Sequence, residues 1–436
     1  MADVQPLQGI RYNDKVSDNL AQIITPPYDV ISEEAQAKYY ARNPYNIIRL
    51  ELGMDEPGDT SLNNRYTRAA ATFAEWRLNS ILQQENTPCY YLYQQIFTYN
   101  AQVFTRNSLL ARVRLEPWST GIVLPHEHTL AKPKDDRLKL LRACVTNFSP
   151  IMSLYDDPQG RMRRLLSSYS EAAEVQITDE VNEVHRLHPI TNENHIALIQ
   201  NFFSERQLYI ADGHHRYETA LNYREETRAL HRKLDSKDGA NFVLMALTDI
   251  DDPGLLVLPT HRLLFGLNQE TLKKLTSQHL ARYFSVYEPE GVDAAHAVLL
   301  ERLAEIGASH SSFVLSTAQK TWLLSLNGAG KTRMEASGHS SAWNKLDVAI
   351  AHTLILEDTL GLKAEDMTAG THIQYTRDAQ KALDAVQTGE AQASLILNAT
   401  RVRQICDVAM ADDRMPQKST YFYPKLFTGF VMNSLW

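Results

Sequence analysis

The sequence predicts an α+β (mixed α/β) protein. Stretches with apolar residues at helical spacing alternate with short apolar runs of strand character. At one junction, between Gln207 and Ala220, a strand passes into a long helix through a single tight turn, Asp212-Gly213. The texture changes near Gly266, which divides the chain into a core domain over 1–265 and a smaller α/β domain over 266–436, expected to close over the site. At 436 residues the chain has room for two or three domains.

The individual elements follow from local pattern. Pro26 and Pro27 fix an extended loop that can hold Tyr28 and Asp29 toward a ligand; equally, Asp29 or Ser32 can cap a helix over 33–40. Residues 46–52 read as a strand, and 62–83 as a helix with Tyr66, Ala70, Phe73 and Leu78 facing inward. Two strands, 89–99 and 102–115, flank a turn at Asn100, and their tyrosines serve sheet packing. Residues 138–146 and 162–174 read as helix, 150–155 and 184–189 as strand, and 192–200 as helix. The run 242–248 is a buried strand, and 255–258 leads to Pro259-Thr260-His261-Arg262, where His261 and Arg262 either line the site or stand behind it. Beyond Gly266, helices are expected over 267–283, 294–306, 347–360, 379–388 and 402–411, and strands over 312–316, 321–326 and 393–397. Asn327-Gly328 reads as a hairpin turn. The nearby Gly330-Lys331-Thr332 is no P-loop, because Ser325 stands where that pattern needs its first glycine.

Composition excludes several classes. Lys and Arg number 44 against 52 Asp and Glu, a net charge of −8, and no basic stripe is visible. A nucleic-acid role is therefore disfavoured. Cys89, Cys144 and Cys406 are widely spaced, which suits buried thiols in a reducing compartment and neither a disulfide framework nor a zinc knuckle. The N-terminus lacks signal-peptide character and no apolar run reaches membrane-spanning length, so a cytoplasmic protein without a membrane partner is expected. Oligomeric state is not legible.

Chemistry concentrates in four places. In Asp212-Gly213-His214-His215-Arg216-Tyr217, a helix N-terminus offers N–H groups and a positive dipole end to an anion. Gly213 admits close approach, and Arg216 can grip phosphate with two parallel bonds. The second place is Pro125-His126-Glu127-His128-Thr129 with Lys132, Lys134, Asp135, Asp136 and Arg137. A carboxylate between histidines suits a general base, the cations suit phosphate, and no third ligand at zincin spacing completes a zinc site. The third is the proline loop with Asp29. The fourth is Lys418-Ser419-Thr420, one cation and two hydroxyls suited to phosphate or carboxylate.

The central hexapeptide resembles the phosphate-binding motif of the ParB/sulfiredoxin-like superfamily, which includes ParB cytidine triphosphatases, sulfiredoxins and free-serine kinases. Over nearly its full length the chain resembles the 1015 family of domains of unknown function. That likeness rests on Pro26-Pro27-Tyr28-Asp29-Val30-Ile31, Pro125-His126-Glu127-His128-Thr129, the hexapeptide, Pro259-Thr260-His261-Arg262 and the run from Met415-Pro416-Gln417 through Lys418-Ser419-Thr420 to Tyr423-Pro424-Lys425. The superfamily likeness implies a ParB/sulfiredoxin-like core binding a nucleoside phosphate. His214 stands where sulfiredoxins carry cysteine, so sulfinic-acid repair is not implied. The likeness to free-serine kinases implies a nucleotide-dependent phosphotransferase acting on a small hydroxy or amino acid, serine first. In this reading Asp212, Gly213, His214, His215 and Arg216 hold ATP or ADP. Glu127 or His126, with His128 beside them, takes the proton. Lys132, Arg137, Lys418, Ser419 and Thr420 meet the phosphoryl charge, and Asp29 or Asp136 holds Mg2+. A phosphatase acting on a metabolite such as phosphoserine, and a non-catalytic nucleotide sensor, are the alternatives.

Overall fold

The computed structural model describes residues 1–13, 16, 20–129, 131–170, 173–231, 235–363 and 370–436, leaving aside the side chains of Ala131, Lys132, His231 and Asp293. It is a mixed α/β fold with two compact units. One comprises Met1–Pro125, Thr129–Leu256 and Pro424–Trp436, the other His126–His128 and Val257–Tyr423.

The first unit is built on a nine-stranded sheet. Its strands are β1 (Val4–Gln5), β2 (Tyr90–Tyr99), β3 (Gln102–Arg114), β4 (Val123–Leu124), β5 (Ile151–Tyr155), β6 (Val175–Thr178), β7 (Val184–Ile190), β8 (Leu208–Asp212) and β9 (Phe242–Asp249). The order across the sheet is β4-β8-β5-β9-β3-β2-β7-β6, with β1 on β3. Two pairs, β8 with β4 and β9 with β5, run parallel, and β8 runs antiparallel to β5. The register of β8 against β5 shifts between Ile210 and Asp212. An irregularity of this kind re-aims the side chains that follow it. The core cluster joins sheet residues such as Leu92, Ala111, Ile151 and Met245 to Ile199 and Phe203 of α1 (Glu193–Phe203) and to Tyr217 and Ala220 of α2 (His214–His231). The C-terminal residues belong to this unit because Thr428 exchanges backbone bonds with Thr25, Met432 pairs with Ile10, and Asn433 pairs with Asn147.

The second unit is built on a six-stranded sheet, every pair antiparallel: β10 (His261–Leu264), β11 (Phe284–Tyr287), β12 (Ser312–Thr317), β13 (Thr321–Leu326), β14 (Ile373–Thr376) and β15 (Ala393–Leu397), in the order β11-β13-β12-β15-β10-β14. The helices His296–Gly307 and Ala379–Gln387 pack Leu299, Leu303, Ala382 and Leu383 onto it. The two units part at Leu256, before the expected boundary at Gly266, because β10 pairs with β14 and β15 of this sheet.

Four segments depart from the local reading. Residues 46–52 form a helical turn, Ile48–Glu51, and just before it the Asn46 side chain accepts the Ile48 N–H at 2.9 Å. The helix expected over 62–83 spans Arg65–Leu78, started by a capping box between Asn64 and Thr67; Leu78 is exposed, and Leu82–Gln84 is a strand paired with Ile10–Tyr12. Residues 267–283 hold two short helices, Gln269–Leu272 and Ser277–Leu280, because Asn268 and Thr276 each cap a separate start. Asn327-Gly328 opens the helix Gly328–Glu335, with Asn327 as its cap, in place of a hairpin. In the proline loop, Ser32 caps the helix Glu33–Arg42, taking the Ala35 N–H at 3.2 Å.

One pH dependence arises from the second sheet. His261 is buried in β10, and its Nδ1 accepts the Leu397 N–H at 3.2 Å, which requires a neutral ring. Burial, with the neighbouring Arg262 charge, lowers its pKa to about 4. An unfolded histidine takes its proton near pH 6.5. The stability this group contributes is therefore present above that pH and is lost as pH falls toward 4. A difference of about 2.5 units corresponds to roughly 3 kcal/mol. Urea unfolding of this unit followed from pH 7 to 4 should show that loss. His261→Asn, whose amide oxygen can take the Leu397 N–H, should remove the His261 share of the slope and leave that of His352, which burial in the same unit also lowers to about 4; an unchanged slope would assign the loss to other groups.

Candidate functional site

The strand–turn–helix sits where β8 ends and α2 begins. Gly213 has φ +99°, and a Cβ there would lie 3.0 Å from Nε and Nη2 of Arg216. Glycine is required twice over, by the backbone angle and by the guanidinium folded back across the turn. The Gly213 carbonyl accepts the Tyr217 N–H at 3.0 Å, starting the helix. Tyr217 is buried; its hydroxyl bonds both the N–H and the carbonyl of Glu116 at 2.9 Å, and its ring stacks on Trp118. These contacts pin the helix start to the segment that follows β3.

Cations surround Asp212. Lys425 Nζ donates to Oδ2 at 3.0 Å and Arg216 Nη2 lies 4.0 Å from the same oxygen. Burial works against charge on Asp212, but Lys425 and Arg216 outweigh it and hold the carboxyl well below the usual carboxylate range. Arg216 Nη1 donates to the Pro150 carbonyl at 2.7 Å. Arg106, fully buried, adds a third cation whose charge interacts with Asp212. Its Nη2 donates to Gln95, while among the described residues Nε and Nη1 have no hydrogen-bond partner. Burial lowers its pKa to about 10 against the opposing charges of Tyr93, Asp252, Glu183 and Asp212.

A second network adjoins Arg216. Arg137 Nη1 donates to the Glu51 backbone carbonyl at 3.0 Å and lies 3.3 Å from its carboxylate, which also accepts from Ser149 Oγ at 2.9 Å. The other edge of Arg137 meets Asp136 Oδ2, at 2.8 Å from Nε and 2.6 Å from Nη2, and its face lies 3.9 Å from the Tyr28 ring centroid. Asp136 Oδ1 accepts from Tyr66 at 2.8 Å and from Arg65. Burial pushes the Glu51 carboxyl up although Arg137 and Arg216 pull it down. Burial likewise opposes charge on Asp136, and there Arg137, Tyr66 and Arg65 prevail and lower it. Tyr28 is pushed up to about 12, chiefly by burial. A cavity of about 50 Å³ is lined by Glu51, Arg137, Ser149, Arg216 and Thr219 among others.

Along the helix's first turn, His215 is half-buried, and burial holds its pKa below the ordinary histidine value; the charges of Glu218, Lys134, Asp29 and Arg216 all act on it. Glu218 Oε2 accepts from Thr129 at 2.6 Å and Lys134 at 2.8 Å, which more than offsets its burial and lowers its pKa.

The sequence-predicted residues thus form two groups. Asp212, Gly213, His214, His215, Arg216, Arg137, Asp136 and Asp29 belong to the first unit. His126, Glu127, His128, Lys418, Ser419 and Thr420 belong to the second. There the Met415 N–H donates to the His126 carbonyl at 2.7 Å, Glu127 bridges Met415, and His126 Nε2 lies 3.3 Å from Thr420 Oγ1 and 3.9 Å from Glu127 Oε1. Lys418 is exposed with φ +57°, and the buried Ser419 donates to the Pro416 carbonyl. The Lys132 side chain lies outside the described residues. Of the two expected magnesium ligands, Asp136 has both oxygens engaged by cations and a phenol, whereas Asp29 is exposed and, among the described residues, no side-chain partner holds it. Lys425, Arg106 and Glu51 were not singled out from the sequence. The signal available for Lys425 was its place in the terminal cluster; for the other two there was none.

A mixed α/β protein in two units, with a glycine turn ringed by cations in the first, is the class that fold and site define. The chain belongs to the family described as proteins of unknown function, DUF1015, whose match spans residues 4–349. No curated protein matches it. Among solved structures, a conserved hypothetical protein from Pyrococcus furiosus is 12% identical, with 75% of this chain and 95% of that chain covered and a TM-score of 0.36. A free serine kinase in complex with AMP is 11% identical, with 72% and 86% covered and a TM-score of 0.36. SbnI from Staphylococcus aureus, truncated at its C-terminus, is 14% identical, with 74% and 86% covered and a TM-score of 0.35.

Proposed function

We propose that the protein is a nucleotide-dependent phosphotransferase acting on a small hydroxy or amino acid, serine first. The observation that carries this reading is the Asp212-Gly213 turn, with Arg216 folded over it, Lys425 on its carboxylate and a helix N-terminus opening from it. Such a turn offers backbone donors and fixed positive charge to nucleotide phosphates. In the reaction, the substrate hydroxyl oxygen attacks the terminal phosphorus of ATP or ADP. The bond from that phosphorus to the bridging oxygen breaks, and the nucleotide leaves one phosphate shorter. The hydroxyl proton passes to a base, proposed on sequence grounds as Glu127 with His126 beside it. Asp29 is the proposed protein ligand of a magnesium ion, which would help neutralise the phosphoryl charge when bound.

The test is incubation of the protein with ATP or ADP, Mg2+ and a panel of small hydroxy and amino acids, read by mass spectrometry. A phosphorylated acid is the expected product. Phosphate release from phosphoserine without nucleotide would point to a phosphatase, and saturable nucleotide binding with no product to a sensor. Glu127→Gln should abolish turnover and leave nucleotide affinity within about twofold, since a base acts on the transition state rather than on nucleotide binding. A variant with the wild-type rate would remove Glu127 from the mechanism.

A further inference from the structure

A second cavity lies away from the glycine turn. It lies within the second unit, encloses about 980 Å³, and takes all its walls from between residues 304 and 404. Small-molecule sites span roughly 300–1,000 Å³. Its size therefore matches a metabolite or nucleotide.

The walls are built and charged. Asn398 packs so closely on Gly307 that a Cβ at 307 would strike its amide. Arg401 Nη2 donates to the carbonyls of Gly307 at 3.1 Å and Ala308 at 2.9 Å, fixing one cation at the rim. Lys331 and Lys345 are exposed and line the same cavity, and among the described residues neither is paired with a carboxylate. Three cations, of which Arg401 is held in place, stand against two lining carboxylates, Glu335 and Asp347, in a chain whose net charge is −8. Asp347 is hydrogen-bonded by Ser311 and Asn398, and burial pushes its carboxyl up to about 6 against those bonds and the Arg401 charge.

We infer that this cavity is a second ligand site, which takes a small organic anion bearing a phosphate or carboxylate, held by Lys331, Lys345 and Arg401. The inference does not rest on the phosphotransferase reading, because none of these residues belongs to the first unit.

The experiment titrates the full chain with O-phosphoserine, citrate, AMP and inorganic phosphate, with glycerol and adenosine as uncharged controls. Binding is read by calorimetry and by hydrogen exchange. At least one anion is expected to bind, to protect residues 307–311 and 398–404 from exchange, and to lose roughly tenfold or more in affinity in the Lys331→Gln/Lys345→Gln variant. Which anions bind separates phosphate from carboxylate recognition. The inference is overturned if no anion binds, if the uncharged controls bind equally well, if protection appears at residues 208–216 instead, or if the double lysine variant binds as wild type. The lysines are exposed, so the variant should fold, and its unliganded melting temperature checks that.

Discussion

Arg216→Ala is expected to weaken nucleotide binding by about tenfold to a hundredfold, the range for a charge-assisted hydrogen bond worth roughly 1.5–3 kcal/mol. The guanidinium lies against Gly213 and 4.0 Å from Asp212, where an anion entering the turn would meet it. Arg216→Lys should also lose affinity, because a lysine keeps the charge but not two parallel donors. Calorimetry with ADP separates the outcomes. Wild-type affinity in Arg216→Ala would mean that the turn does not hold the nucleotide, and the proposed function would lose its carrying observation. Because Arg216 also donates to the Pro150 carbonyl, the melting temperature of each variant needs checking in parallel, so that lost binding is not lost fold.

Long periodic elements were legible. The helix after Gly213 and the buried strand Phe242–Asp249 carry their signals within one window, and so do the two strands around Asn100 and Ala101, both with positive φ. Short segments were not, because a run such as Ile47-Ile48-Arg49-Leu50 has the composition of a strand and its outcome is decided by bonds outside the run, such as that from the Ile48 N–H to Asn46. Asn327 followed the same rule: an asparagine before glycine serves a hairpin or a helix cap equally, and the choice lies in what the next turn buries, here Met334.

The turn itself was legible because its residues are contiguous. Its surroundings were not, because they are long-range pairs. Lys425 reaches Asp212 across a separation of 213 residues. Arg137 was read as a phosphate ligand because its charge is visible locally, while Glu51, which pairs with it, lies 86 residues away in a segment read as a strand. Most Arg137 donors are already committed, Nη1 to Glu51 and Nε with Nη2 to Asp136. Its geometry instead supports the floor beneath Arg216, which makes the pair a matter of stability first.

Glu51→Ala is accordingly expected to destabilise the first unit by about 3–5 kcal/mol, the range for removing one partner of a buried ion pair. The Glu51 and Arg137 side chains are 3% and 6% exposed, so the arginine left behind cannot recover its hydration. It would keep Asp136, but Asp136 already carries Arg65, and Ser149 Oγ would lose its acceptor as well. Replacing both partners, as Glu51→Leu with Arg137→Met, should recover much of the loss, because the buried charge is then absent rather than unpaired. Urea unfolding read by hydrogen exchange in β5 and β8 reports this unit separately from the second. A midpoint drop of about 1 M or more is expected for Glu51→Ala, given slopes of roughly 1–3 kcal/mol per molar urea. If the alanine variant loses under about 1 kcal/mol, water reaches the pair and the network is not closed, in contrast to its burial here. If the double variant is as unstable as the single one, the network fixes the shape of the floor through Asp136 and Tyr28, and nucleotide affinity should fall along with stability.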